Sequence, residues 1–240
     1  MELHVFDTIQ EASQLAKDVF VKAINENPGC LLGLATGSTP EVLYGLLIEA
    51  YKNGEVSFKD VRTVNLDEYV GLGPEHNQSY RYFMNSNLFD HIDIDKNNTN
   101  VPDGIGGPEQ NAKKYDALLE SLGQPDIQLL GIGGNGHIAF NEPGSSFDST
   151  TSIIDLTEET IKANSRFFEN IDDVPKKAVS MGIKSILKAK KILLLAFGES
   201  KAQAVKDMFE LPVTENMPAT ALKNHPDVMV IVDKAAASLL

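Results

Sequence analysis

A chain of 240 residues with 42% hydrophobic and 23% charged side chains has the length and apolar content to bury a full α/β core, which excludes a disordered or fibrous polypeptide. Its formal net charge of −13 repels phosphate backbones and anionic lipid surfaces, so a broad nucleic-acid or membrane interface is excluded and an anionic ligand requires a local basic pocket. The opening MELHVFDTIQ has neither a basic n-region nor an apolar h-region, no apolar run approaches bilayer-spanning length, and Cys30 as the only cysteine allows no intrachain disulfide, so the expected location is the cytoplasm.

In chain order, helical periodicity over 9–25 precedes a short apolar strand over 30–35, in which Cys30 reads as a small buried hydrophobe. A helix over 40–53, a strand over 61–65 and a helix over 80–91 follow, and 95–107, rich in Asn, Asp and Gly, reads as loop. Next come a helix over 108–121 and strands over 127–132, 178–182 and 192–197, then a helix over 201–209, a strand over 228–232 and a helix over 234–240. The six strands are continuously apolar rather than alternating, so each is expected in the interior of a parallel sheet covered by helices. No repeat or linker interrupts the chain, which reads as one domain over 1–240. In such sheets ligands bind beyond the carboxyl ends of the strands.

Three strand ends carry polar residues. In LGLATGSTP, Gly37 permits close backbone approach while Thr36, Ser38 and Thr39 offer hydroxyls and N–H groups at the start of a helix, a cradle suited to phosphate or, without a ligand, a capped helix. In VNLDEYVGL the strand runs into Asp67 and Glu68; a carboxylate there serves as a general base if burial lifts its pKa, or as a turn cap.

The third, GIGGNGHIAFNEPGSSF, contains a literal GxGxxG over 131–136, but no helix opens directly after it, as a dinucleotide site requires. The glycines instead permit turns that bring Asn135, His137 and Glu142 together, and a histidine in such a loop with a nearby carboxylate is placed for proton transfer. Arg166 and Lys201 are either phosphate ligands or solvated charges. The other four histidines, His4, His76, His91 and His225, lack any metal-ligand spacing, so neither a metal nor another cofactor is expected.

Taken together, LGLATGSTP, NLDEYVGL, SYRYFMNSNLFDHI, GNGHIAFNEPGSSF, NSRFF and FGESKA resemble the glucosamine-6-phosphate deaminases in order and spacing over nearly the whole chain. The resemblance implies a Rossmann-like three-layer α/β sandwich with a mainly parallel central sheet and a helical lid over about 155–180. It implies conversion of glucosamine 6-phosphate and water to fructose 6-phosphate and ammonia. By the same resemblance Asp67 shuttles a proton between C2 and C1, His137 assists ring opening with Glu142 orienting it, and Thr36, Gly37, Ser38, Arg166 and Lys201 hold the phosphate. Asn135 stands where some relatives have aspartate; it orients but does not ionise, so His137 is expected to depend on Glu142. Relatives activated by N-acetylglucosamine 6-phosphate are longer, hexameric and basic where this chain has Ser152 and Ile154, so the expectation is an unactivated monomer. The competing readings are a 6-phosphogluconolactonase or ketose-aldose isomerase on the same phosphate loop, and a non-catalytic sugar-phosphate sensor.

Overall fold

The computed structural model describes residues 1–240. Its strands are β1 (Glu2–Phe6), β2 (Leu31–Leu34), β3 (Arg62–Asn65), β4 (Asp67–Tyr69), β5 (Thr99–Asn100), β6 (Ile127–Leu130), β7 (Ser152–Asp155), β8 (Lys177–Ser180), β9 (Lys191–Ala196) and β10 (Val228–Asp233). Its helices are α1 (Ile9–Glu26), α2 (Glu41–Lys52), α3 (Tyr80–Asn87), α4 (Pro108–Leu122), α5 (Glu158–Asn164), α6 (Ile183–Ile186) and α7 (Ala202–Glu210).

Seven strands form a parallel sheet in the order β1-β10-β9-β6-β2-β3-β5. Helices flank this sheet, and a contiguous core of 47 buried residues joins the layers. Its five interior strands are five of the six apolar runs in the sequence, because only a strand paired on both edges and covered on both faces needs continuous hydrophobicity. The two edge strands escape that reading: β1 is mostly exposed and includes Glu2 and His4, and β5 is two residues long within the Asn-rich loop.

The sixth run corrects the expectation. Residues 178–182 do not enter the parallel sheet; β8 is the middle strand of a separate three-stranded antiparallel sheet, β4-β8-β7. A middle strand is buried on both sides in either setting, so hydropathy does not distinguish the two. Residues 234–240 form turns instead of a helix: the Asp233 carboxylate holds the Ala236 N–H at 2.8 Å, and the short segment ends before a regular helical ladder develops. The helix expected over 80–91 breaks after Asn87 into a 3-10 turn, Phe89–His91, and the one expected over 201–209 starts through a 3-10 turn, Glu199–Lys201.

The order of strands fixes where a ligand binds. After β2 the chain moves outward to β3, and after β6 it moves the opposite way to β9, so the loops following these two neighbours diverge and leave a crevice. The Thr-Gly-Ser-Thr loop follows β2 and the glycine loop follows β6. No helix is long and apolar enough to cross a membrane.

Candidate active site

A cleft of about 910 Å³ opens at this crevice. Its walls include Thr36, Gly37, Ser38 and Thr39 from the β2 loop, Asp67 from β4, Asn135 and His137 from the β6 loop, and Arg166 and Lys201. Two carboxylates singled out in the sequence are absent from the walls: Glu142, which lies behind His137, and Glu68, the neighbour of Asp67.

At the cationic end, the backbone turns at Gly37 with φ +89°, a conformation that glycine adopts without strain, and α2 begins four residues later. The buried Tyr44 hydroxyl on α2 donates to the Ala35 carbonyl at 2.5 Å and fixes the start of this loop. Arg166 Nη2 donates to Ser38 Oγ at 3.2 Å, so a residue 128 positions away closes over the loop. Burial and the neighbouring Arg166 charge lower the Lys201 pKa. Two cations crowded in this way are relieved by an anion between them, and hydroxyls, N–H groups and cations together suit a phosphate.

Asp67 opens β4, an edge strand of the antiparallel sheet, and is paired in register with Ser180. It is 7% exposed, and burial followed by the adjacent Glu68 charge pushes its carboxyl up to about 8. Glu68 is differently placed. Burial raises it to about 7, yet it accepts N–H bonds from Tyr69 at 2.8 Å, Tyr80 at 2.9 Å and Arg81 at 3.0 Å, so it satisfies the first N–H groups of α3 and does not line the cleft. The pair is thereby divided: Glu68 has three donors, while Asp67 lines the cleft with a pKa raised toward neutral pH, where a carboxylate is able to serve as a base. The rings of Tyr69, Tyr80 and Phe140 pack beside it, with centroids 4.8–6.2 Å apart.

The glycine loop holds the second group. His137 Nδ1 lies 3.4 Å from Glu142 Oε2, within ion-pair range but not aligned as a hydrogen bond. Asn135 Nδ2 donates to the same oxygen at 2.8 Å, and Asn135 Oδ1 accepts from the His137 N–H at 3.2 Å. The turn between His137 and Glu142 is strained, with Ala139 at φ +51°, and the buried Asn141 side chain clamps it by donating to the Ile138 carbonyl at 2.9 Å and the Met181 carbonyl at 2.8 Å. Burial opposes the Glu142 charge, but contacts with His137, Thr160 and Asn135 outweigh it and hold the carboxyl at about 2. Glu142 is therefore a fixed anion beside an imidazole, the arrangement that sets tautomer and orientation in general-base catalysis.

The family described as glucosamine-6-phosphate isomerases/6-phosphogluconolactonase matches residues 6–231 of this sequence. The chain belongs to this family. Two relatives in the family, both named glucosamine-6-phosphate deaminase, are similar along their whole length. One, from Clostridium perfringens (strain SM101 / Type A), is 52% identical over 241 residues and covers 100% of both chains. The other, from Lacticaseibacillus paracasei, is 53% identical over 242 residues and covers 100% of this chain and 99% of its own. A solved structure described as a monomeric glucosamine-6-phosphate deaminase superposes with a TM-score of 0.99 at 47% identity over 100% of both chains. The 6-phosphogluconolactonase from Trypanosoma brucei shares the family fold at a TM-score of 0.81 and 22% identity, covering 100% of this chain and 98% of that one.

Two residues that the family motifs do not mark complete the site. Thr160 Oγ1 donates to Glu142 Oε1, and Thr157 Oγ1 donates to the same oxygen at 3.2 Å. Thr157 also caps α5 by accepting from the Thr160 N–H. The capping pattern is local and readable, but the contact with Glu142 spans 18 residues and arises only when α5 folds back on the glycine loop.

Proposed function

We propose that this chain is a glucosamine-6-phosphate deaminase in which Asp67, His137 and Glu142 drive the chemistry and the Thr36–Thr39 loop, Arg166 and Lys201 hold the phosphate. The observation that carries the reading is one cleft with a phosphate cradle at one end and, facing into it, a buried carboxylate and a carboxylate-backed imidazole. Full-length relatives that share half of their residues bear the same name.

With the phosphate fixed, His137 relays the O1 proton to the ring oxygen and opens the pyranose; the neighbouring Glu142 anion stabilises the imidazolium formed on the way. Asp67 removes the C2 proton and returns it to C1 while a proton passes from the amine nitrogen to O1, so the C1 carbonyl becomes a hydroxyl and an imine remains at C2. Water adds to that carbon, ammonia departs, and fructose 6-phosphate remains. With its pKa near 8, Asp67 is a stronger base than an ordinary carboxylate for taking the C2 proton and remains acidic enough to return it to C1. Asn135 acts through Glu142 and the His137 backbone, as a positioning residue.

The chain works as a single cytoplasmic domain over 1–240, with residues 155–180 as a lid that brings Arg166 to the phosphate. It acts as a monomer on a small sugar phosphate, as described for the 47% identical solved relative. Ser152 and Ile154, on β7, offer no cation to a second sugar phosphate, so N-acetylglucosamine 6-phosphate leaves the rate unaltered. Purified protein given glucosamine 6-phosphate releases ammonia and fructose 6-phosphate in equal amounts along a hyperbolic rate curve. Hydrolysis of 6-phosphogluconolactone without ammonia release from the amino sugar overturns this reading, as does binding without turnover.

A further inference from the structure

One short segment touches both ends of the cleft. α5 bears Thr157 at its cap and Thr160 in its first turn, and both hydroxyls donate to Glu142 Oε1. The segment continues without interruption into the 3-10 turn Ser165–Phe167, from which Arg166 reaches Ser38 in the phosphate loop. Thr160 is 4% exposed and is packed where its hydroxyl meets only the Glu142 carboxylate and Thr157. The second oxygen of Glu142 is shared by Asn135 and the side facing His137. Donors on α5 thus hold one carboxylate oxygen and the glycine loop the other, so Glu142 has its full set of partners only when α5 is seated.

We propose that Thr160 is a positioning residue for the reaction: it fixes the Glu142 carboxylate behind His137 when α5 and Arg166 are seated over the phosphate loop, and so ties phosphate capture to the assembly of the proton-transfer pair. The inference rests on the deaminase reading and deepens it. A hydroxyl bound to a buried carboxylate contributes far more than one bound to water, and its loss leaves the anion short of a donor. Thr160 touches no reacting atom in this arrangement; it acts through Glu142. Since Arg166 still grips the phosphate without it, substrate capture survives its loss while the chemical step does not.

The test compares Thr160→Val, which keeps the shape and removes the hydroxyl, with Thr160→Ser, which keeps the hydroxyl, each in the wild-type chain and in Glu142→Gln. Steady-state turnover of glucosamine 6-phosphate is expected to fall about 10-fold in kcat for Thr160→Val, with KM within about twofold, and to recover within about twofold in Thr160→Ser. In the Glu142→Gln background, Thr160→Val is expected to add no further loss, because the partner it serves is already neutral. Thr160→Ala replaces the valine variant if that chain does not fold. Unchanged kcat in Thr160→Val, equal losses in Val and Ser, or additive losses with Glu142→Gln overturn the inference. Failure of the unsubstituted protein to release ammonia instead overturns the deaminase reading, so the two outcomes are distinct.

Discussion

Gly133 and the His137 ring compete for the same space: a Cβ built on Gly133 stands 2.3 Å from His137 Cε1 and 2.4 Å from Nδ1. The imidazole therefore lies directly over the glycine backbone, and its position facing Glu142 exists because residue 133 has no side chain. Gly133→Ala pushes the ring out of that place. The expected result is a fall in kcat of about 10- to 100-fold with a melting temperature within a few degrees of wild type, because the collision is with one side chain at a cleft wall. Wild-type kcat in this variant contradicts the placement of His137.

Asp67 is held in a state that costs stability. Its folded pKa of about 8 lies above the ordinary 3.8, so the folded chain binds this proton more tightly than the unfolded chain does. The wild-type chain therefore loses stability as pH rises from about 4 to about 8, and no further beyond that. Asp67→Asn removes this slope. Thermal melts should show the variant equal to wild type near pH 4 and more stable by on the order of 5 kcal/mol at pH 8. A variant less stable than wild type at pH 8 contradicts the burial argument.

Glu142 has the opposite sign. Held at about 2, below its ordinary 4.5, it contributes stability that is present above pH 4.5 and lost as pH falls toward 2. Glu142→Gln should flatten this acid loss, lower kcat by about 100-fold, and change the pH dependence of turnover because His137 loses its anion. An unchanged pH profile means that Asn135 and the backbone suffice to set His137.

The two cations act on capture. Arg166→Met and Lys201→Met should each raise KM about 10- to 100-fold, as expected for loss of a charge-assisted contact, with kcat reduced less. Initial-rate measurements separate the two parameters. A KM unchanged in both variants places the phosphate elsewhere.

Cys30 is fully buried, and burial, reinforced by the Asp126 charge, pushes its thiol up to about 11. Iodoacetamide at pH 8 should leave the native chain unlabelled and modify it only after unfolding, with mass spectrometry as the readout. Labelling of the folded protein at a rate typical of free thiols contradicts this.

What the sequence reveals follows from what each residue needs locally. The interior strands announce themselves because burial on both faces demands unbroken hydrophobicity, whereas β1 and β5 have one free edge and no such demand. The residues of the Thr-Gly-Ser-Thr and glycine loops, with Asp67, reach one cleft or, for Glu142, the position just behind it, because they stand at strand ends where the loop chemistry is local; Arg166 reaches it from the turn after α5, and Glu68 does not line it. The antiparallel sheet that positions Asp67 is invisible in advance: β4 is three residues long, and its partners β8 and β7 are more than 80 residues away. Shorter separations are enough to hide the hold of α5 on Glu142, 18 residues away, and the division of labour between Asp67 and Glu68, which depends on where α3 presents its first N–H groups 12 and 13 residues on.

The most direct measurement is turnover of glucosamine 6-phosphate by the purified wild-type chain and by Asp67→Asn, following ammonia and fructose 6-phosphate together, with substrate binding measured in both. Equal release of the two products by wild type, and a loss of about 100- to 10,000-fold in the variant with binding retained, is the predicted result. Turnover in Asp67→Asn close to wild type contradicts the assignment of Asp67 as the base, and absence of ammonia from the wild-type chain contradicts the reaction itself.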